Sequence, residues 1–148
     1  MLAKSLLNLL PHLGTAGQVA STKLCSLAGE TTSDIVTKRP FRSPHHTASQ
    51  IALVGDGNRP KPGEISLAHL RVLFLDELPE YPRSTLEGLC QPLEDRQIAV
   101  SRANRSVTYQ ANFMLVATMN ACPCGYFGDK TKECICTSNQ ILAYQKKL

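Results

Sequence analysis

Two runs of consecutive apolar residues predict the centre of the fold. The first, Val72–Leu75, is followed at once by Asp76 and Glu77. The second, Phe113–Met119, is followed by Asn120. Strands that are apolar on both faces are typical of a parallel sheet covered by helices. The sequence therefore predicts an α/β fold in which two neighbouring, buried, parallel strands each end in polar side chains.

Apolar residues that recur at every third or fourth position predict helices around these strands. The helical segments predicted in this way are Met1–Leu10, Thr15–Ala28, Pro82–Leu93 and Ser138–Leu148. A shorter segment, Ile65–His69, fits either a helical turn or a strand.

The segments between these helices contain turn signals and shorter apolar runs. Phe41–Gly57 is a short apolar run between turns, typical of a hairpin or a distorted helix. Asn58–Gly63 predicts a loop, because it contains two prolines and a glycine. Gln97–Val100 and Val107–Tyr109 are rich in β-forming residues, and the six residues that join them predict a β-hairpin.

Composition indicates one cytoplasmic domain with its own core. The chain has 148 residues, of which 43% are hydrophobic and 19% are charged. It has no apolar run long enough to span a membrane and no basic, apolar leader at its start. The net charge of +4 is small, but no acidic residue occurs from Arg96 to Asn112.

The polar strand ends are candidates for a nucleotide site. Ligands of parallel sheets bind at the carboxyl ends of the strands. In a Walker B pattern Asp76 binds Mg²⁺, and Glu77 activates the water that attacks the γ-phosphate of ATP. Asn120, at the end of the neighbouring strand, would orient that water or sense the γ-phosphate. The alternative for all three residues is that they lie in ordinary polar turns.

No phosphate-binding loop of the pattern GxxxxGK[ST] occurs in the sequence. The chain looks as though it begins just after such a loop, because its first segment resembles the helix that normally follows one. We therefore expect the isolated 148-residue chain to bind ATP weakly and to hydrolyse none.

Four cysteines form a candidate metal site. They are two close pairs, Cys122 with Cys124 and Cys134 with Cys136. Four thiolates suit tetrahedral Zn²⁺, although the spacing within each pair is tighter than usual. The alternatives are free thiols or disulfides, and a reducing cytosol argues against disulfides.

A second candidate interface is the predicted hairpin. Arg96, Arg102 and Arg105 lie in the acid-free segment, so their guanidinium groups are available to the phosphates of DNA. The alternative is a hairpin whose arginines are only solvated.

Taken together, these motifs resemble those of the magnesium-chelatase-subunit-I-like AAA+ ATPases, in the branch whose members drive branch migration on DNA. The segments that match are RPFRSPHH (39–46), PGEISLAH (62–69), VLFLDELPE (72–80), QPLED (91–95), VSRA (100–103) and CPCGYFGD (122–129). The resemblance implies a three-layer, P-loop-NTPase-like core, a homo-hexameric ring, and hydrolysis of ATP with Mg²⁺ between subunits.

The resemblance also assigns roles to segments. It implies that Arg39–Asp56 is a helix-2 insert and that Gln97–Gln110 is the pre-sensor-1 hairpin, both facing the pore of the ring. Arg42, in the insert, would then add a DNA contact, and Asn120 would be the sensor 1 residue. Residues 1–148 correspond to a partial AAA+ domain, without the P-loop that precedes it in the family and the arginine finger and lid that follow.

Three functions therefore remain open. The first is an ATP-driven DNA motor. The second is a non-catalytic fragment that binds DNA or sister subunits. The third is an ATPase that inserts metal into tetrapyrroles, as magnesium chelatases do.

Overall fold

The fold is α/β. We describe it from a computed structural model, for residues 2–30, 34–39, 41–56, 61–102 and 105–147. The helices are α1 (Leu2–Ser5), α2 (Thr15–Ala28), α3 (Gln50–Val54), α4 (Glu64–Leu67), α5 (Arg83–Glu87), α6 (Cys90–Asp95) and α7 (Ser138–Gln145). The strands are β1 (Phe41–Arg42), β2 (Gly55–Asp56), β3 (Lys61–Pro62), β4 (Val72–Leu75), β5 (Gln97–Arg102), β6 (Arg105–Gln110) and β7 (Met114–Ala117). Leu6–Asn8 and Leu78–Glu80 are 3₁₀ turns.

A parallel sheet lies at the centre, as predicted. In the described residues its order is β1-β4-β7, and both pairings are parallel. The register pairs Val72 with Met114 and Leu75 with Ala117. The prediction that the two apolar runs are adjacent parallel strands is therefore confirmed.

The two central strands differ in burial. In β4, Val72, Leu73 and Leu75 are fully buried. In β7, by contrast, Met114 is 46% exposed, so the prediction that both strands are buried is wrong for β7. The difference follows from position, because β4 has a strand on each side and β7 is an edge strand of the described sheet.

The predicted helices form, with changes in extent, and the one predicted as Ser138–Leu148 is α7, Ser138–Gln145. Thr15–Ala28 is a helix over its whole predicted length. The segment predicted as Met1–Leu10 contains only the short α1 and the 3₁₀ turn after it. The segment Pro82–Leu93 is divided into α5 and α6, since Pro92 has no N–H to bond the carbonyl of Gly88.

The segment predicted as a hairpin or a distorted helix contains parts of both. It holds β1 and α3, and then β2, which pairs antiparallel with β3. Pairing of β2 and β3 brings the backbone of Gly63 close to the backbone of Leu53 and Gly55. A Cβ atom there would lie 2.3 Å from the carbonyl oxygen of Leu53. The loop between β2 and β3, residues 57–60, lies outside the described residues.

The predicted hairpin after α6 also forms. Strands β5 and β6 pair antiparallel from Gln97 with Gln110 to Arg102 with Arg105. Its tip, which includes Asn104, lies outside the described residues. Ile98, Val100 and Tyr109 point from the hairpin into the main apolar core. The same core takes in side chains from α2, α3, α4 and β4, and it fixes the hairpin beside the sheet.

Candidate nucleotide edge and cysteine cluster

The carboxyl ends of β4 and β7 meet in a hydrogen-bonded group of three residues. Asp76 and Thr118 each follow the last paired residue of a strand, so they lie opposite each other. The Thr118 hydroxyl donates to Oδ1 of Asp76 and accepts the N–H of Glu77 at 3.2 Å. The backbone of Thr118 also bonds Leu75 and Leu78 at 3.0 and 2.9 Å. Thr118 therefore holds the turn that presents both carboxylates.

Glu77 has an unusual backbone conformation. Its φ of 53° and ψ of 52° are left-handed, which is uncommon for a residue other than glycine. Such strain persists where the surrounding structure enforces it, and it is concentrated at functional sites. The side chain is about half exposed to solvent. A carboxylate held in this way is accessible to a water molecule or a ligand at the sheet edge.

The loop after β1 reaches the same edge. Nδ1 of His46 lies 3.8 Å from Oε2 of Glu77. The loop is fixed by Tyr81, whose hydroxyl donates to the Pro44 carbonyl at 2.7 Å and whose ring lies edge-on to His46. Burial raises the pKa of Tyr81, and the negative charge of Asp76 raises it further. Tyr81 therefore remains a neutral hydrogen-bond donor near Asp76.

Sequence reasoning missed both Thr118 and His46. The signal for Thr118 is its register, since it is the first residue after β7, as Asp76 is after β4. No local pattern marks His46, because its contact with Glu77 joins residues that are distant in the chain.

Asn120 lies two residues beyond Thr118 and is exposed. We predicted from the sequence that its side chain lies beside Asp76, but the described residue that bonds Asp76 is Thr118. Burial raises the pKa of Tyr144 in α7, and the nearby backbone N–H of Asn120 opposes that shift. Its role as a sensor stays a prediction.

The arginines predicted to contact DNA lie in different environments. Arg96 is exposed at the start of the hairpin, while the side chains of Arg102 and Arg105 lie outside what the structure describes. Arg42 is only 18% exposed and pairs with Glu30 and, at 3.2 Å, with Glu64. Burial raises the pKa of Glu64, although the charge of Arg42 opposes that shift. Any DNA contact by Arg42 would have to compete with these two carboxylates.

The four predicted cysteines converge. The Sγ atom of Cys122 lies 3.4 Å from that of Cys124 and 3.7 Å from that of Cys134, and Cys124 and Cys134 are 3.6 Å apart. With Cys136, all four sulfur atoms lie within 4.8 Å of one another. Four sulfurs around one tetrahedral zinc ion are about 3.8 Å apart. All of these cysteines are free thiols, at distances far beyond a disulfide bond of about 2.05 Å.

The thiols of this cluster do not titrate alike. The backbone N–H of Tyr126, together with the neighbouring thiols of Cys122 and Cys136, lowers the pKa of Cys124 to about 6. The backbone of Cys136 lowers the pKa of Cys134, but burial and the neighbouring sulfurs outweigh it and raise that pKa to about 12. Negative charge on one sulfur thus opposes ionisation of the next, a conflict that a bound cation removes.

Sequence comparison covers the whole chain. Residues 1–148 match the family described as magnesium chelatase, subunit ChlI. The protein YifB of Escherichia coli (strain K12) is 47% identical over 149 residues, which are 100% of this chain and 29% of that protein. Competence protein ComM of Haemophilus influenzae is 45% identical over 149 residues, again 100% of this chain and 29% of that protein. The chain therefore spans less than a third of the length of these relatives.

Structural comparison gives a weaker similarity. NtrX from Brucella abortus, solved in complex with ADP, matches with a TM-score of 0.47 and 22% identity, over 64% of this chain and 22% of that chain. In the part of the chain that the structure describes, no helix is long and apolar enough to cross a membrane.

The match between the family and residues 1–148 confirms the resemblance drawn from the sequence motifs. The chain belongs to the magnesium chelatase subunit ChlI family.

Proposed function

We propose that residues 1–148 are part of an AAA+ ATPase module and that they supply its Walker B acids. The observation that supports this most strongly is the pair Asp76 and Glu77 at the carboxyl end of β4, held by one threonine of the neighbouring strand. Oxygen ligands of this kind suit Mg²⁺, and the carboxyl edge of a parallel sheet is where nucleotides bind. The proposed cofactors are accordingly ATP and Mg²⁺.

Each residue at this edge has a distinct task in the proposal. Asp76 would hold Mg²⁺ through its carboxylate, which the hydrogen bond from Thr118 orients. The bound ion would offset the charge of the phosphates. Glu77 would accept a proton from the attacking water, and its exposed carboxylate allows that water to approach. Asn120 would orient the water from the end of β7.

We further propose that the native protein uses ATP to move DNA, as a homo-hexameric ring in the cytoplasm. The β5–β6 hairpin supports this, because it combines Arg96, Arg102 and Arg105 with no acidic residue. One relative is named competence protein ComM, and we take that name as compatible with a function on DNA. Arg42 is a weaker candidate, since two carboxylates already pair with it.

A second candidate function is metal insertion of the magnesium-chelatase type. The name of the family supports it. The two functions make the same demands on Asp76 and Glu77, and they differ in whether DNA binds the hairpin. For the cysteine cluster we propose Zn²⁺, in a structural role.

The test of the DNA proposal uses the native protein. Arg102 and Arg105 are replaced by alanine together, and DNA affinity is measured at several salt concentrations. Each lost phosphate contact should weaken binding and lower the salt slope by about one. Arg83→Ala is the matched control, because Arg83 is exposed on α5 and pairs only with Glu87 among the described residues.

If the double variant has the same DNA affinity and salt slope as the wild type, the hairpin arginines do not contact DNA. If the wild-type protein hydrolyses ATP but binds no DNA, the metal-insertion function is favoured instead. If it neither hydrolyses ATP nor forms a ring, both ATPase functions fail.

A further inference from the structure

The cysteine cluster joins two parts of the chain that lead directly to the proposed nucleotide site, where the Asp76–Glu77 turn lies beside the end of β7. Cys122 follows Asn120 by two residues, so it continues the path of β7. Cys136 immediately precedes Thr137, the residue that caps the N-terminus of α7 in a reciprocal bond with Gln140. A metal held by both cysteines would therefore connect the end of β7 to the start of α7.

Helix α7 in turn packs back against this proposed nucleotide site. Tyr144 is buried, and the backbone N–H of Asn120 lies near enough to its hydroxyl to influence the pKa of Tyr144, which burial raises. Nε2 of Gln145 donates to the carbonyl of Ala121 at 3.3 Å. Beyond the helix, Nζ of Lys147 donates to the carbonyl of Pro79 at 3.0 Å, in the turn after Glu77. The end of α7 thus contacts both polar strand ends.

The segment that contains the two cysteine pairs, residues 122–136, has little apolar packing to hold it. Phe127 is 52% exposed and Ile135 is 86% exposed, whereas Cys122 is fully buried. The chain turns at Gly125 and Gly128, both with φ near +83°. An eight-residue helix such as α7 is also too short to be stable without tertiary contacts. A cross-link at the cysteines would order this region further.

We propose that Cys122, Cys124, Cys134 and Cys136 bind one Zn²⁺, and that this ion ties α7 and Asn120 to the Asp76–Glu77 turn. Binding forms four Zn–S bonds while each sulfur that is still protonated releases its proton to solvent, and no electrons are transferred. Tetrahedral Zn²⁺ fits because the sulfur separations match those of a four-thiolate site. The importance of this connection for a nucleotide site, though not the metal site itself, rests on the function proposed above.

The metal site is tested by zinc content of the native protein, purified without chelators and analysed by mass spectrometry. We expect about one zinc ion per chain. Cys122→Ser and Cys136→Ser should each lose most of it, while Cys90→Ser, an exposed cysteine outside the cluster, should retain it. Because the serine variants can misfold, wild-type protein is also stripped and reloaded with Co²⁺, which should give the visible spectrum of a tetrahedral thiolate site. A folded wild-type protein with no zinc and no such Co²⁺ spectrum would overturn the site.

The proposed connection of α7 and Asn120 to the Asp76–Glu77 turn is tested separately, by hydrogen exchange of the wild-type protein with and without zinc. Removal should speed exchange in Ser138–Gln145 and at Asn120, and leave Val72–Leu75 protected. Unchanged protection of α7 after zinc removal would overturn the tie even if zinc binds. These measurements do not depend on ATP hydrolysis, so a protein that binds zinc but lacks ATPase activity would contradict only the proposed function.

Discussion

The hydroxyl of Thr118 donates a hydrogen bond to the carboxylate of Asp76. The bond crosses from the end of one parallel strand to the end of its neighbour, and the same hydroxyl accepts the N–H of Glu77. One side chain thus fixes the orientation of the proposed magnesium ligand and the backbone of the proposed catalytic base.

Thr118→Val should weaken the magnesium site of the native protein. Valine has nearly the same shape but no hydroxyl, so Asp76 loses a donor and the Glu77 N–H loses an acceptor. Loss of a residue that orients a metal ligand typically lowers metal affinity or activity by roughly 10–100-fold. The measurement is ATP hydrolysis as a function of Mg²⁺ concentration, and the midpoint should shift to higher Mg²⁺. Thr118→Ser, which keeps the hydroxyl, should behave almost as wild type. Equal midpoints for the valine and serine variants would remove Thr118 from the site.

Stability should fall as the pH is lowered below about 6.5, the ordinary pKa of histidine. His69 is buried and its Nδ1 accepts the N–H of Asn112 at 3.2 Å. Burial and, secondly, the positive charge of Arg71 lower its pKa in the folded state. Between the folded and unfolded pKa values the unfolded chain binds more protons, so acid favours unfolding there.

Urea unfolding at a series of pH values measures this effect. His69→Asn places an uncharged acceptor near the position of Nδ1, and it should flatten the dependence of the unfolding free energy on pH between about 5 and 7. If the variant retains the full wild-type slope in this range, His69 is not the group responsible.

Gly63→Ala should destabilise the fold although the φ of Gly63 is an ordinary −83°. The added Cβ would lie 2.3 Å from the Leu53 carbonyl oxygen and 2.5 Å from the amide nitrogen of Gly55, both backbone atoms. Forced overpacking of this kind typically lowers the free energy of unfolding by about 1–3 kcal/mol. Gly14→Ala is the control, because a Cβ added there would meet nothing within 4 Å and the φ of Gly14 is −65°. Similar unfolding midpoints for both variants would contradict the close approach at Gly63.

Local apolar runs were sufficient to predict β4 and its pairing with β7, because a parallel sheet requires strands of this composition. They were not sufficient to predict how exposed β7 is, since burial depends on which strands lie beside it. The break between α5 and α6 had a visible cause in Pro92, but helical periodicity alone extends across it.

The residues of the candidate site were also only partly predictable from the sequence. Asp76, Glu77 and Asn120 were predicted from their positions after apolar runs, and the cysteines from their spacing. The contacts of Thr118 with Asp76 and of His46 with Glu77 depend on strand register and on a distant loop. Neither contact leaves a periodic or local signal in the sequence.

The most direct test of the proposed ATPase function is the turnover of ATP by the Glu77→Gln variant of the native protein. Glutamine keeps the size of the side chain but cannot accept a proton, so we expect ATP hydrolysis to fall roughly 100-fold or more while ATP binding is largely unchanged. Glu87→Gln is the matched control, an exposed glutamate at the end of α5, and it should hydrolyse ATP at the wild-type rate. Wild-type turnover by the Glu77→Gln variant would contradict the assignment of Glu77 as the catalytic base.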